Sequence, residues 1–392
     1  MDWFRHANLA DYLVILVSLD SSDHMLVLTI ALLTFGQLKQ KQRILVAPLD
    51  WGLGHAARCV PIIQDLSSEY EIIIAASGRS KYFLQQLFPE LICIHFEGYN
   101  ITYPANGSMA VKMLLQMPKV LKRVKEEHLE LQQLIQQYKI DLIISDNRFG
   151  LHSNSIPSIY IAHQIHIQAP GILADRLFKL HAKYISQYSQ CWIPDLDAKP
   201  NLSGSLGHGK LLDNCRYIGP LSRLQKVKCQ KIHDYCALIS GPEPQRTKFE
   251  SLILSVFKGR KETLLLLGGK PEEQTTEQTN NITVISHQND EDLARSISSS
   301  STVIARSGYS SIMDLAKLEA PCIFIPTPGQ TEQQYLAEYH NRQYQTPWIR
   351  QVDLNWKNLS QVTANKISIN WEEKSFAKMI QELIQRETSN IN

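Results

Sequence analysis

A glycine-rich turn with a histidine and an arginine is the first segment able to do chemistry. Residues 52–58 read Gly-Leu-Gly-His-Ala-Ala-Arg and follow a predicted buried strand. Small residues at a helix start let backbone N–H groups approach an anion or a polar substrate. His55 is therefore the first candidate for a general base that takes a proton from an acceptor hydroxyl, and Gly54 is expected on the acceptor side. A tight strand-to-helix turn with His55 as a cap explains the segment equally well.

Further polar residues follow two later apolar runs in the same half of the chain. Asp146 and Asn147 follow one run, and His163 and Gln164 follow the next. Because the carboxyl ends of parallel strands share one edge of a sheet, all four are expected to face the cleft of the glycine turn and to shape an acceptor site. Asp146 is the second candidate for the base. In the alternative interpretation Asp146 caps a turn and His163 fills a polar niche.

The second half of the chain contains a comparable turn. Residues 305–311 follow another apolar run and begin a helix that carries Asp314. Ser307 and Gly308 in this turn are suited to an anion at the helix N-terminus. Asp314 is placed to accept hydrogen bonds from ribose hydroxyls, as acidic residues do in many nucleotide sites. Taken alone, without the neighbouring motifs, Asp314 is better explained as a first-turn carboxylate favoured by the helix dipole.

The strand at residues 321–326 and the pair Gln333-Gln334 complete a recognisable block. This block resembles the carboxyl-terminal domain of the GT-B glycosyltransferase family that contains the peptidoglycan N-acetylglucosaminyltransferase. The resemblance implies that Ser307 and Gly308 form the phosphate loop, that the acid on the following helix binds ribose, and that Gln333 and Gln334 contact the sugar. Asp replaces the more usual Glu at the ribose position.

The resemblance covers residues 42–385, strongly over 300–340 and loosely elsewhere, and it assigns three more residues. Arg223, in the segment 217–223, matches the arginine that reaches the diphosphate. Gly241 and Arg246 lie in the first glycine-bearing loop of the nucleotide domain, where backbone amides and a guanidinium would neutralise the departing UDP. A solvated surface charge is the alternative for either arginine.

The elements that must hold these residues alternate between strand and helix. Such alternation predicts α/β architecture, with two Rossmann-like, doubly wound parallel-sheet domains facing a cleft. We expect an extension at residues 1–40, an acceptor-side domain at 41–222, a UDP-sugar domain at 223–365 and a helix at 366–392 that packs back toward the first domain. The predicted strands are 44–48, 71–76, 91–96, 141–145, 158–162, 191–193, 235–240, 262–267, 282–286, 302–305 and 322–325.

Composition excludes several other classes of protein. The net charge of +2 is too small for a nucleic-acid-binding surface, and seven scattered cysteines fit neither a disulfide framework nor a zinc site. These features favour a cytoplasmic protein. The apolar runs near the amino terminus are too short to span a membrane. Residues 108–138 combine apolar and basic side chains, which fits peripheral contact with the inner face of the membrane or a crossover helix that packs on the core.

The resemblance as a whole implies transfer of a sugar of the N-acetylhexosamine type, as in UDP-N-acetylglucosamine, to a hydroxyl acceptor with inversion. A role in the cell envelope would follow, with a lipid-linked or glycan acceptor that the sequence leaves open. No cofactor beyond the donor is expected, and no metal, because the cleft motifs lack Asp-x-Asp spacing. Two alternatives remain: a UDP-sugar hydrolase, which shares the Gly-x-Gly-His-x-x-Arg turn, and a non-catalytic nucleotide-sugar-binding protein.

Overall fold

The structure is a computed structural model that describes residues 41–99, 101, 109–168, 172–371 and 373–389. The chain divides into a unit of Met1–Gln42 and a compact unit of Arg43–Asn392, which holds the fold. The prediction about residues 1–40 lies outside the described residues.

The first half forms a parallel sheet that has seven strands within the described ranges, in the order β3-β2-β1-β4-β5-β6-β7. Runs of Ile, Leu and Val bury β1, β2 and β4 almost completely, because helices cover both faces of the sheet. The strands are β1 (Arg43–Pro48), β2 (Glu71–Ala76), β3 (Ile92–His95), β4 (Leu142–Asp146), β5 (Ser158–Ile161), β6 (Gln190–Ile193) and β7 (Cys215–Tyr217).

Helices connect most of these strands, whereas β4 and β5, and β6 and β7, are joined without an α-helix. The long helix α3 contains Pro118 and packs through Val120, Val124 and Leu131, which are buried. It therefore serves as a core-packing crossover along that face. The helices are α1 (Leu53–Leu66), α2 (Gly78–Leu87), α3 (Met109–Tyr138) and α4 (Ile172–Ile185).

The second half forms a sheet of six strands among the described residues, in the order β10-β11-β9-β8-β12-β13. Its edge strand β10 is antiparallel to β11 and adds to the predicted parallel strands. All four residues of β10 are exposed and polar, so no buried apolar run marked it in the sequence. The strands are β8 (His233–Leu238), β9 (Leu264–Leu267), β10 (Thr276–Thr279), β11 (Ile282–Ile285), β12 (Ser300–Ala305) and β13 (Cys322–Phe324).

The last helix contacts the first half of the chain. The Asp65 carboxylate of α1 accepts hydrogen bonds from the backbone N–H groups of Phe376 and Ala377, at 2.7 and 3.0 Å, and so caps this helix. Phe376 also packs on Trp192 of β6. The remaining helices are α5 (Gln245–Phe257), α6 (Asp290–Ser298), α7 (Tyr309–Leu318), α8 (Thr331–Tyr344), α9 (Trp356–Ser360) and α10 (Phe376–Ser389).

Candidate active site

Strand order brings the loops of the first domain together. β4 lies between β1 and β5, and Asp146 pairs in register with Pro48 on one side and Ile161 on the other. His55 in the first turn of α1, Asp146 at the end of β4 and His163 just after β5 therefore meet at the carboxyl edge of the sheet. In the second sheet, Ala305 of β12 likewise pairs with the last residues of its neighbours β8 and β13.

The starts of α1 and α7 touch each other across the two domains. Ser310 Oγ donates a hydrogen bond to the carbonyl oxygen of Gly54 at 3.0 Å. A Cβ atom at Gly54 would lie 2.9 Å from that hydroxyl, so a larger residue would have to displace the Ser310 side chain. Gly52, which precedes α1, has a φ of 122°, and neither Gly52 nor Gly308 supplies a side-chain cap. Among the described residues no side chain caps either helix start, so the N–H groups of both first turns lie uncapped near the junction.

His55 and Asp146 form a hydrogen-bonded pair at this junction. The Asp146 carboxylate is fully buried, and its Oδ1 lies 2.8 Å from His55 Nδ1, whose side chain is 15% exposed. Because an ionised carboxylate only accepts hydrogen bonds, the proton of the neutral imidazole belongs on Nδ1. Within the described part of the chain, Nε2 of His55 has no hydrogen-bond partner.

Arg58 lies one turn further along α1 and holds the same carboxylate. Its Nε and Nη2 donate hydrogen bonds to the two oxygens of Asp146, and its side chain is 2% exposed. Nη2 also lies 2.9 Å from His55 Nδ1, and Nη1 lies 3.0 Å from His163 Nδ1. Sequence reasoning gave Arg58 no role, although its spacing of three residues from His55 puts both on one helix face.

His163 extends this group into the second domain. Its Nε2 is 2.9 Å from Oε1 of Glu332, in the first turn of α8. Its ring also stacks on Tyr309, the first residue of α7, with centroids 4.4 Å apart and planes 4° apart. We call His55, Arg58, Asp146, His163 and Glu332 the charged cluster. Sequence reasoning missed Glu332, although it adjoins the predicted Gln333.

Burial and neighbouring charges set the protonation of the charged cluster. Burial and the Arg58 charge lower the pKa of His55, while Asp146 opposes them in part. Burial would raise the pKa of Asp146, but Arg58 and His55 hold it well below its usual range. Burial is likewise outweighed at Glu332, where His163 lowers the pKa. At neutral pH His55 is therefore neutral while Asp146 and Glu332 are ionised.

The other predicted acceptor-side residues lie next to these groups. Asn147 follows Asp146 directly, has a φ of 58°, and accepts a hydrogen bond through Oδ1 from the hydroxyl of Tyr160 at 2.7 Å. Gln164 follows His163 and is half-buried. The structure thus places both beside the charged cluster, and their roles toward an acceptor stay predictions.

Asp314, predicted to bind the ribose, lies on the second turn of α7. Its Oδ1 accepts a hydrogen bond from Ser222 Oγ at 2.6 Å. Burial raises its pKa to about 6, and the nearby Arg223 charge opposes that rise. No acidic residue lies in the first turn of α7, so the helix-dipole explanation does not apply. Arg223 Nε donates to Asp290 Oδ1 at 2.5 Å, and its guanidinium lies 4.9 Å from the centroid of the Phe83 ring.

The predicted phosphate loop contacts the first residue of the predicted glutamine pair. Ser307 Oγ donates to the backbone carbonyl of Gln333 at 2.6 Å, and Gln333 Oε1 accepts from the backbone N–H of Thr327 at 2.8 Å. Gln334 is exposed and bonds to a neighbour on its own helix. Beside Gly308 there is open space, because a Cβ atom built there would meet nothing within 4 Å.

The first loop of the second domain is held by internal bonds. Gly241 has a φ of 101°, a conformation that favours glycine. Arg246 donates through Nη1 to the Gly268 carbonyl at 2.6 Å and through Nε to Glu243 at 3.0 Å. Its guanidinium is thus paired within the domain, and its predicted contact with UDP stays a prediction.

A cavity of about 570 Å³ separates α2 from the loop after β11. Gln288 lines this cavity, and its Oε1 is buried with no hydrogen-bond partner among the described residues. Asp290, the partner of Arg223, lines the same cavity, as do Phe83 and His287. The cavity therefore adjoins the group around Asp314. Sequence reasoning missed it because its wall comes from both domains.

Two family models match this chain, each over less than half of it. Residues 237–388 match the glycosyltransferase family 28 C-terminal domain. Residues 42–185 match the model described as glycosyl transferase family 1. An uncharacterized glycosyltransferase of Methanosarcina acetivorans is 24% identical over 333 residues, which cover 74% of this chain and 81% of the relative.

Solved glycosyltransferase structures share the fold. A UDP-glucosyltransferase from Polygonum tinctorium is 10% identical, with a TM-score of 0.56, over 89% of this chain and 94% of that one. MurG from Acinetobacter baumannii is 13% identical over 82% of this chain and 89% of that one, with a TM-score of 0.48. At that score the MurG likeness adds nothing to the fold assignment. The similarity to the Polygonum tinctorium enzyme confirms the predicted fold of two α/β domains.

Proposed function

We propose that this chain, a glycosyltransferase with the GT-B fold, moves a sugar from a UDP-sugar to a hydroxyl acceptor with His55 as the general base. The observation that carries the proposal is the His55–Asp146 pair, which lies where the starts of α1 and α7 touch. An acceptor activated on α1 would then be beside a donor diphosphate bound at α7. Inversion, an N-acetylhexosamine sugar and independence from metal belong to the same proposal.

The imidazole geometry supports a base rather than an acid. With its Nδ1–H donated to Asp146, His55 leaves Nε2 to accept the proton of the acceptor hydroxyl. The buried carboxylate of Asp146 stabilises the imidazolium that forms. The acceptor oxygen attacks the anomeric carbon while the bond from that carbon to the diphosphate oxygen breaks, and its electron pair leaves with UDP. One displacement of this kind inverts the anomeric carbon.

The donor side supplies groups for each part of a UDP-sugar. Asp314 is proposed to accept hydrogen bonds from the ribose, and the free N–H groups at Gly308 to receive the diphosphate. Arg223 would exchange Asp290 for a phosphate, and helix α7 would stabilise the departing charge without a metal. The cavity at Gln288 has room for a nucleobase, and its unpartnered Oε1 fits an N–H donor of uracil.

The acceptor is proposed to be lipid-linked or a glycan, with peripheral contact at the membrane. Helix α3 exposes Leu115, Leu121 and Leu129, and Lys122 and Lys125 beside them are exposed as well. Such a surface fits an anionic bilayer. None of the described helices is long and apolar enough to span a membrane.

Replacing His55 tests the base. His55→Ala is expected to lower turnover by about 100- to 10,000-fold, the usual contribution of positioned proton transfer, while UDP affinity barely changes. His95→Ala is the matched control, because that histidine is exposed and bonded to Glu97 outside the cluster. Turnover near the wild-type value in the His55 variant would exclude this base and direct attention to Asp146.

A release assay separates transfer from hydrolysis. UDP release is measured over a panel of UDP-sugars, with and without candidate acceptors. Release that requires an acceptor supports transfer, and the preferred UDP-sugar identifies the donor. Equal release without any acceptor would favour the hydrolase alternative. Binding without release for every donor and acceptor would favour a non-catalytic protein.

A further inference from the structure

Arg58 contacts three other members of the charged cluster at once. It is buried, and its guanidinium reaches Asp146, His55 and His163 together. Burying such a side chain requires compensation for lost hydration, and the nearest acidic group is the equally buried Asp146. An Arg58–Asp146 ion pair could serve stability alone. A further role for Arg58 has to be argued from the proton positions on the neighbouring histidines.

Hydrogen-bond chemistry fixes both histidines that border Arg58. A guanidinium only donates, so His163 accepts through Nδ1 and must carry its proton on Nε2, facing Glu332. At His55, Nδ1 lies 2.8 Å from Asp146 Oδ1 and 2.9 Å from Arg58 Nη2. Arg58 Nη2 can only donate and by itself would favour an unprotonated Nδ1, but it already donates to Oδ1 of Asp146. Oδ1 is the nearer neighbour of Nδ1, and while Asp146 is ionised this oxygen can only accept, so an unprotonated Nδ1 would face its lone pairs. Nδ1 of His55 is therefore protonated, and the base is Nε2.

This arrangement depends on the charge of Arg58. The titratable groups that face His55 are Asp146, Arg58, His163 and Glu332. Cys59 faces Asp146 and Arg58 instead. Among the groups that face His55, Arg58 is the permanent cation, and it offsets Asp146, which would otherwise draw a second proton onto the imidazole. It also holds both oxygens of that carboxylate in a bidentate contact, which fixes the orientation of Oδ1 toward His55.

We propose that Arg58 is a positioning residue for sugar transfer: it keeps Asp146 ionised and oriented so that His55 carries its proton on Nδ1 and leaves Nε2 free at neutral pH. The inference rests on the proposed role of His55 as the base. It gives the arginine at the end of the Gly-x-Gly-His-x-x-Arg turn a role that does not require contact with a substrate. Arg58 acts on the acceptor hydroxyl only through His55.

The pH dependence of kcat/KM tests the inference. Arg58→Met keeps the length of the side chain and removes the charge, so His55 holds its proton more tightly and the acid limb is expected to move up by about one to three pH units. Arg58→Lys keeps the charge without the fork, so a smaller movement is expected with kcat lowered about ten- to a hundredfold. Arg43→Met, which removes a surface arginine paired with Glu71, is the matched control.

If the acid limb of the kcat/KM profile does not move in Arg58→Met, the inference is overturned, and the Arg58–Asp146 pair serves stability alone. Nitrogen-15 NMR of the histidines in the wild-type protein gives a readout independent of activity and of that variant's folding, with the His55 signals assigned from His55→Gln. The Nδ1–H form at neutral pH supports the inference, and the Nε2–H form overturns it. If His55→Ala keeps its turnover while NMR shows the Nδ1–H form, the proposed base is wrong and the effect of Arg58 on His55 stands.

Discussion

Asp314 offers a perturbation whose consequences for stability and for binding have opposite signs. Its carboxylate is held inside the second domain by one hydrogen bond from Ser222, and burial raises its pKa to about 6 from an ordinary 3.8. Asp314→Asn preserves the shape and an acceptor oxygen for Ser222. We expect this variant to unfold at higher denaturant concentration than the wild type and to bind UDP more weakly.

The magnitude follows from the pKa. A carboxyl whose pKa is raised on folding binds its proton more tightly in the folded state, so stability falls as the pH rises from the unfolded pKa to the folded pKa, and the full loss is present above the folded pKa. A difference of about two between the two pKa values corresponds to about 3 kcal/mol, an upper value for the gain in Asp314→Asn above pH 7. The gain should shrink as the pH falls through 6 and vanish below about pH 4.

Urea unfolding of wild type and Asp314→Asn at a series of pH values measures the gain in stability. Titration with UDP measures the loss of affinity. Losing a charged acceptor for the ribose is expected to weaken UDP binding by about 1.5 to 3 kcal/mol, or about ten- to 150-fold in Kd. A stability difference that is the same at pH 4 and pH 7 would refute the assignment of the cost to the buried charge. Unchanged UDP affinity would refute the ribose contact.

Two further substitutions test the packing that positions the site. Gly54→Ala is expected to lower the free energy of unfolding in urea by about 1 kcal/mol, because its Cβ would displace the Ser310 hydroxyl from its hydrogen bond. The cost should be smaller in a Ser310→Ala background. Equal costs in both backgrounds would contradict the contact. Arg148→Met is expected to cost about 3 to 5 kcal/mol because it leaves Glu127 buried without its partner. The double variant Arg148→Met with Glu127→Gln should recover part of that loss, and no recovery would show that the ion pair is not the cause.

The enzyme class predicted from the sequence is confirmed by the family matches over both halves of the chain. The evidence for it lay in short segments: a glycine turn with His55, and a second turn followed by Asp314 and the pair Gln333-Gln334. Such segments are readable because a strand followed by a glycine turn and a helix start is fixed by neighbouring residues. The roles of the individual residues stay predictions.

Other features of the site left no local trace. The edge strand β10 is polar and exposed, so it is defined only by its pairing with β11. The cavity at Gln288 has walls from two domains. Which carboxylate serves His55 also stayed open in the sequence, since Asp146 lies 91 residues away.

The sequence by itself determined the alternation of strands and helices, the two helix starts suited to anions and the candidate base. These follow from local hydrophobic patterns and from the freedom of glycine. Only the tertiary structure decided that Arg58 binds Asp146 from 88 residues away, and that His163 meets Glu332 across 169 residues. Those contacts depend on which strands are neighbours and on how closely Gly54 lets the domains approach. No local propensity specifies either, because both are properties of the packed sheets and of the interface between them.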